Sequence, residues 1–147
     1  MANPQVPQGN LNRVRASVTF PSNPALNVTA PFLSPAGISM RFESPVSEQL
    51  DTMTGLVGSP APYQRVTVVM HLLRSQVLAG AYKSQIELNA LVGNMTVRPD
   101  SVTLPDYSLV NCAITTGPEG LDFNGKAPDF TITITGAYQI NSSLYSA

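Results

Sequence analysis

The sequence predicts a mainly β fold: a β-sandwich or distorted barrel of about six to seven strands with one flanking α-helix. Apolar and polar residues alternate with a period of two over residues 13–20, 38–43 and 130–140, and residues 65–73 form an apolar, β-rich run. The prolines, and the glycines apart from Gly136, fall outside these runs. Only residues 75–89 carry their apolar side chains at helical spacing.

Taken in order, residues 1–12 are polar, carry prolines, and read as an N-terminal arm that orders on docking. The domain then runs over residues 13–147. In its first strand Val14, Ala16, Val18 and Phe20 alternate with Arg13, Arg15, Ser17 and Thr19. A short strand is expected over residues 26–33, interrupted by Pro31. A Ser-Pro-Ala-Gly turn leads to a third strand, where Ile38, Met40 and Phe42 alternate with Ser39, Arg41 and Glu43.

Residues 44–64, SPVSEQLDTMTGLVGSPAPYQ, read as a long loop, because prolines 45, 60 and 62 and glycines 55 and 58 oppose regular structure. Leu50, Met53, Leu56, Val57 and Tyr63 nevertheless fall inside it. Apolar residues there point either to a partner surface or to packing beneath the loop.

Residues 65–73 give a strand covered on both faces, with Val66, Val68, Met70 and Leu72 on one side. Ser75 is placed as the helix N-cap and Gly93 as its terminator. Val77, Leu78, Ala81, Tyr82 and Ile86 form the inward stripe, with Lys83, Ser84 and Glu87 opposite. A short strand covers residues 95–98. Another covers residues 107–116, with Val110, Cys112 and Ile114 on one face, and a turn follows at Gly117, Pro118 and Gly120. In the last strand Phe130, Ile132, Ile134, Tyr138 and Ile140 alternate with Thr131, Thr133, Thr135 and Gln139.

A length of 147 residues fits one domain. Charged residues make up only 12%, and Ser, Thr, Asn and Gln take their place. Such a surface desolvates cheaply, which suits burial against further copies. The net charge of −1 and the scattered Arg and Lys give no broad basic footprint for nucleic acid. With one cysteine there is no intrachain disulfide. No signal peptide and no membrane span is read, so a reducing cytosol is expected. The sequons at Asn27, Asn94 and Asn141 read as chance matches.

Catalytic and cofactor chemistry finds little footing, and no cofactor is expected. His71 is the one histidine and sits mid-strand, where it reads as a core residue. Cys112 reads as a small apolar packing residue, and a Cys112–His71 pair lacks an oxyanion-type context. Asp100, Asp106, Asp122 and Asp129 do not match an EF-hand spacing. The glycines of GPEGLDFNGKAPDF bridge strands and do not form a phosphate loop. The chain has no Trp, which counts against a sugar-binding platform.

The runs VTVVMHLLRSQVLAGAYKSQIELN, VRPDSVTLPDYSLVNCAI and LDFNGKAPDFTITITGAYQINSSLY, in this order, resemble tail tube proteins of contractile-tailed bacteriophages, including tube-initiator paralogues. The likeness covers most of residues 13–145. It implies a structural virion protein assembled in the host cytoplasm, not an enzyme. Its inner sheets would join into a ring-wide β-barrel within a homo-hexamer, and the rings would stack into the conduit for genome ejection.

By the same resemblance, the 44–64 loop, together with the arm 1–12, makes the ring-stacking contacts and Lys83, Ser84 and Glu87 face a sheath. Ser17, Thr19, Ser39, Thr131, Thr133 and Thr135 line a lumen through which viral DNA passes without specific binding. Sheath, baseplate and tail terminator proteins are the implied partners, and no membrane is. Read from the residues alone, the alternatives are a monomeric β-sandwich binding module for a glycan or protein ligand, and a small enzyme.

Overall fold

The computed structural model describes residues 14–29, 32–73, 78–100, 103–119 and 129–145. The strands are β1 (Ala16–Thr19), β2 (Leu33–Phe42), β3 (Ser47–Asp51), β4 (Leu56–Pro60), β5 (Tyr63–Leu73), β6 (Leu91–Pro99), β7 (Tyr107–Glu119) and β8 (Asp129–Gln139). Helix α1 (Leu78–Leu88) joins β5 to β6, and a single turn, α2 (Ser142–Tyr145), follows β8. Six strands form one antiparallel sheet in the order β1-β6-β7-β8-β5-β2, and β3 and β4 form a separate pair. The mainly β class with one main helix is as the sequence predicts.

The sheet curls into a nearly closed barrel. β2 and β7 are separated in the sheet by β8 and β5. Even so, Phe42 of β2 and Tyr107 of β7 meet edge to face with ring centroids 5.7 Å apart. Tyr138 of β8 completes the cluster, 5.9 Å from Phe42 and 5.5 Å from Tyr107. Only a strongly rolled sheet brings these strands together, and edge-to-face aromatic packing then helps hold the curl.

The core fills the inside of this curl. In β5 and β8 the period-two pattern is kept throughout: Val66, Val68, Met70 and Leu72 face inward beside Phe130, Ile132 and Ile134. Val18, Met95, Val97, Leu109, Cys112 and Ile114 continue the same face across β1, β6 and β7. Helix α1 closes the core by burying Leu78 and Tyr82, and the Tyr82 hydroxyl donates to the Leu26 carbonyl at 2.9 Å. Burial pushes that phenol well above its ordinary pKa, so it stays a donor.

Several expectations are corrected. No strand of its own forms over the described residues between 26 and 32. Pro24–Leu26 form a 3₁₀ turn, and Val28 makes a single bridge to Val18 before β2 begins at Leu33. Pro24 presets the turn, and the Asn27 side chain holds it by accepting from the Phe20 amide. Gly93 does not end the helix, which stops at Leu88. It lies in β6 at φ +78°, where the register shifts. Gly117 and Pro118 extend β7 to Glu119 and do not form a turn.

The inward face of β7 is not Val110-Cys112-Ile114. Three steps from Val110 to Ala113 oppose two from Ala137 to Thr135, so a bulge centres on Asn111 at φ +53°. Leu109 and Cys112 therefore share the core face, and Val110 turns outward. The proposed N-cap Ser75, the stripe residue Val77, the loop residues Gly120, Asp122 and Gly125, and the arm 1–12 lie outside the described residues.

Candidate functional site

The 44–64 segment, expected to be a loop, is a β-hairpin. β3 and β4 pair in register from Ser47 opposite Pro60 to Asp51 opposite Leu56. Its prolines lie at or just beyond the strand ends, so they cost the ladder little. Thr52 ties the tip: its amide and hydroxyl donate to the Gly55 carbonyl at 2.7 and 2.8 Å, and its Oγ1 accepts from the Gly55 amide at 3.1 Å. The foot is clamped to the body. Ala61 donates to the Val46 carbonyl at 2.9 Å, and the Asn141 side chain donates to the carbonyls of Ala61 and Val46 at 2.7 and 3.2 Å.

Between foot and tip the hairpin touches little else. Every residue from Pro45 to Ser59 is exposed. Leu50 and Val57 stand opposite one another on one face, and Leu56 lies on the other beside Asp51. Met53 at the tip is fully exposed and Leu56 is 63% exposed. Tyr63 belongs to β5, at the foot, and is exposed as well. The packing of these side chains beneath the segment, one of the two readings of the sequence, does not occur. A two-stranded ribbon of this kind is marginally stable on its own. Its apolar side chains here meet water on both faces.

The outward face of the six-stranded sheet gathers the six residues expected to line a lumen. Ser17 and Thr19 on β1, Ser39 on β2, and Thr131, Thr133 and Thr135 on β8 all point away from the core. The register links them in rows: Ser39 opposite Val69 and Val69 opposite Thr133, with Thr67 opposite Thr135 alongside.

Charges share this face. Ser17 opposes Arg98, and Thr67 opposes Arg41. Arg41 pairs with Glu43 at 2.9 Å, and its hydrogen bond, followed by that of Thr67, holds the Glu43 carboxyl below its ordinary pKa. Arg98 lies 3.7 Å from Asp106 and Arg15 lies 2.7 Å from Asp100. The alternation already implied these rows, since Arg41 and Glu43 continue the series from Ser39.

On α1, Lys83, Ser84 and Glu87 are exposed as expected, and Lys83 pairs with Glu87 at 2.6 Å, one turn apart. Leu88 and Leu91, at the end of the helix and the start of β6, are exposed too.

The titratable side chains are dispersed. His71 stands opposite Thr131 on the outward face, not in the core as read, and Cys112 lies on the inward face. The sheet therefore separates the thiol from the imidazole. Burial pushes the Cys112 thiol up to about 11, so it is a neutral packing group at neutral pH. Among the described residues, His, Cys, Asp and Glu form no cluster of metal-binding geometry, and no helix is long and apolar enough to cross a membrane.

No protein-family profile matches the chain, and no curated protein matches it. Solved structures do. The cap that terminates the tube of the anti-feeding prophage is 16% identical over 93% of this chain and 92% of its own, with a TM-score of 0.46. The sheath/tube terminator of an extracellular contractile injection system (PVC), in its extended state, is 14% identical over 93% of this chain and 96% of its own, with a TM-score of 0.47.

Proposed function

We propose that this chain is a structural subunit of a phage-type tail tube, assembling as a homo-hexamer whose rings stack into a conduit. The observation that carries the reading is the β3–β4 hairpin, which is clamped at its foot and presents Leu50, Met53, Leu56 and Val57 to water. Isolated exposed leucines need no explanation, but an entire projecting ribbon with apolar side chains on both faces does. Docking against the next ring buries it, and Tyr63 at the foot extends the contact.

In this reading the sheet edges join between neighbours, which removes them from solvent. The face bearing Ser17, Thr19, Ser39, Thr131, Thr133 and Thr135 turns to the lumen. Small neutral hydroxyls predominate there, and Arg41 and Arg98 are each engaged by a carboxylate, so beyond the exposed Arg65 a passing polyanion has little to bind. Lys83, Ser84 and Glu87 turn outward to a sheath, and baseplate and terminator proteins meet the ends of the tube. The place of work is the virion, after assembly in host cytoplasm.

Sizing the purified full chain by light scattering across a concentration series tests this. Hexamers and larger species are expected as concentration rises. A monomer throughout would overturn it.

A further inference from the structure

The β3–β4 hairpin is joined to the body by two short connections, residues 43–46 and 61–62. Pro45 and Pro62 stand in them and bring no N–H to fix the backbone. Every residue from Pro45 to Ser59 is exposed, so no buried side chain there anchors the ribbon. A ribbon held by two neighbouring connections can swing about them as about a hinge.

The bonds around the connections do not by themselves oppose that swing. Ala61 donates to the Val46 carbonyl at 2.9 Å, which joins the two feet to each other. The Gln64 side chain donates to the Ser44 carbonyl at 2.9 Å, and the Arg65 amide donates to Ser44 Oγ at 2.8 Å. Both of these lie on the body side of Pro45.

Asn141 reaches the ribbon from outside it, just beyond the end of β8. Its side-chain nitrogen donates to the Ala61 carbonyl at 2.7 Å and to the Val46 carbonyl at 3.2 Å, one on each foot. A carboxamide nitrogen carries two N–H groups, and the two carbonyls use both. The residue is itself held on either side. The Ile140 amide donates to the Pro62 carbonyl at 3.2 Å, and the Asn141 carbonyl accepts from the Leu144 amide at 3.0 Å. Its φ of +53° is one that Asn adopts more readily than most residues. The Asn141-Ser142-Ser143 sequon therefore has a structural use: the nitrogen that a glycan would take is already bound to the hairpin.

We propose that Asn141 is a positioning residue that aims the hairpin, so that the end of β8 sets the angle at which one layer of subunits meets the next. The link to stacking rests on the reading of the chain as a tube subunit. Asn141 acts there through the hairpin, which makes the contact.

The test measures the direction of the hairpin in the full chain. Met53→Cys and Ser84→Cys place one spin label at the exposed tip and one on the exposed side of α1, while Cys112 stays buried and unlabelled. With Asn141 present, a single narrow distance is expected. Asn141→Asp keeps the size and the tolerance of positive φ but removes both donors, and Asn141→Gly removes the side chain. Each should broaden the distance distribution about twofold or more at neutral pH, with the melting temperature little moved. At about pH 3, below the ordinary Asp value of roughly 3.9, the carboxyl of the Asp variant is protonated and donates again. Its distribution should then narrow towards that of the natural residue at the same pH, and that of the Gly variant should not. A merely space-filling role would give no such recovery.

Distributions equally narrow in all three chains overturn the proposal, and stacked rings from the unlabelled chains would then leave the tube reading standing. Broad distributions beside unlabelled variants that stack as well as the natural sequence overturn it too, because stacking would not need the aim. Broad distributions in a protein whose natural sequence forms no rings at any concentration uphold the aiming role and sink the tube reading.

Discussion

The missing side chain of Gly136 makes the room that the Cys112 thiol occupies. A Cβ at Gly136 would lie 2.5 Å from Cys112 Sγ and 3.3 Å from Leu109 Cβ. The Asn111 bulge turns both Leu109 and Cys112 inward at this point, so β8 must be bare opposite them. Gly136→Ala is therefore expected to destabilise the fold by about 1–3 kcal/mol. Cys112→Ala in the same chain should recover part of that loss. Urea unfolding of the two single variants and the double variant measures the coupling, and strict additivity would show that the two sites do not interact.

Ile134 is fully buried where β7, β8 and β5 meet, opposite both Ile114 and Val68. Ile134→Ala should cost about 2–5 kcal/mol. An unfolding midpoint that does not move would show that β8 presents its other face inward.

The Tyr82 hydroxyl fastens α1 to the turn at Leu26. Tyr82→Phe keeps the ring and leaves a buried carbonyl unpaired, for an expected loss of about 1–3 kcal/mol. Hydrogen exchange should quicken in α1 before it does in β5 and β8.

For Cys112 the sign of the pH dependence follows from burial, which disfavours the thiolate. The folded value, about 11, lies above the ordinary 9.0. The stability tied to the neutral thiol is complete below the ordinary value and is lost as pH rises through the folded one. A disulfide reagent at pH 8 should leave native Cys112 unmodified and label it at once in denaturant. Rapid labelling of the native chain would place the thiol at the surface.

β5 and β8 were legible residue by residue, because each buries one whole face and any slip would turn valine and isoleucine to water. β7 was only partly legible. Its boundaries follow alternation, but the bulge depends on Asn111 tolerating positive φ, and no hydropathy pattern encodes that. The hairpin was illegible for the opposite reason. It is exposed on both faces from Pro45 to Ser59, so no buried face imposes a period of two on its sequence. Its apolar residues could be named as a surface, but their arrangement about Leu50 and Val57 could not. A groove lined by Val14, Met40 and Leu104 joins residues distant in sequence, which only the roll of the sheet brings together.

The hairpin gives the most direct measurement of the central claim: negative-stain microscopy of the concentrated full chain beside its Leu56→Asp variant. Leu56 is already exposed in the lone subunit, so the charge should leave folding intact and disturb only a docked hairpin. The account predicts stacked rings for the natural sequence and single, unstacked rings for the variant. Tubes of equal length from both, or dispersed monomers from the natural sequence at high concentration, would contradict it.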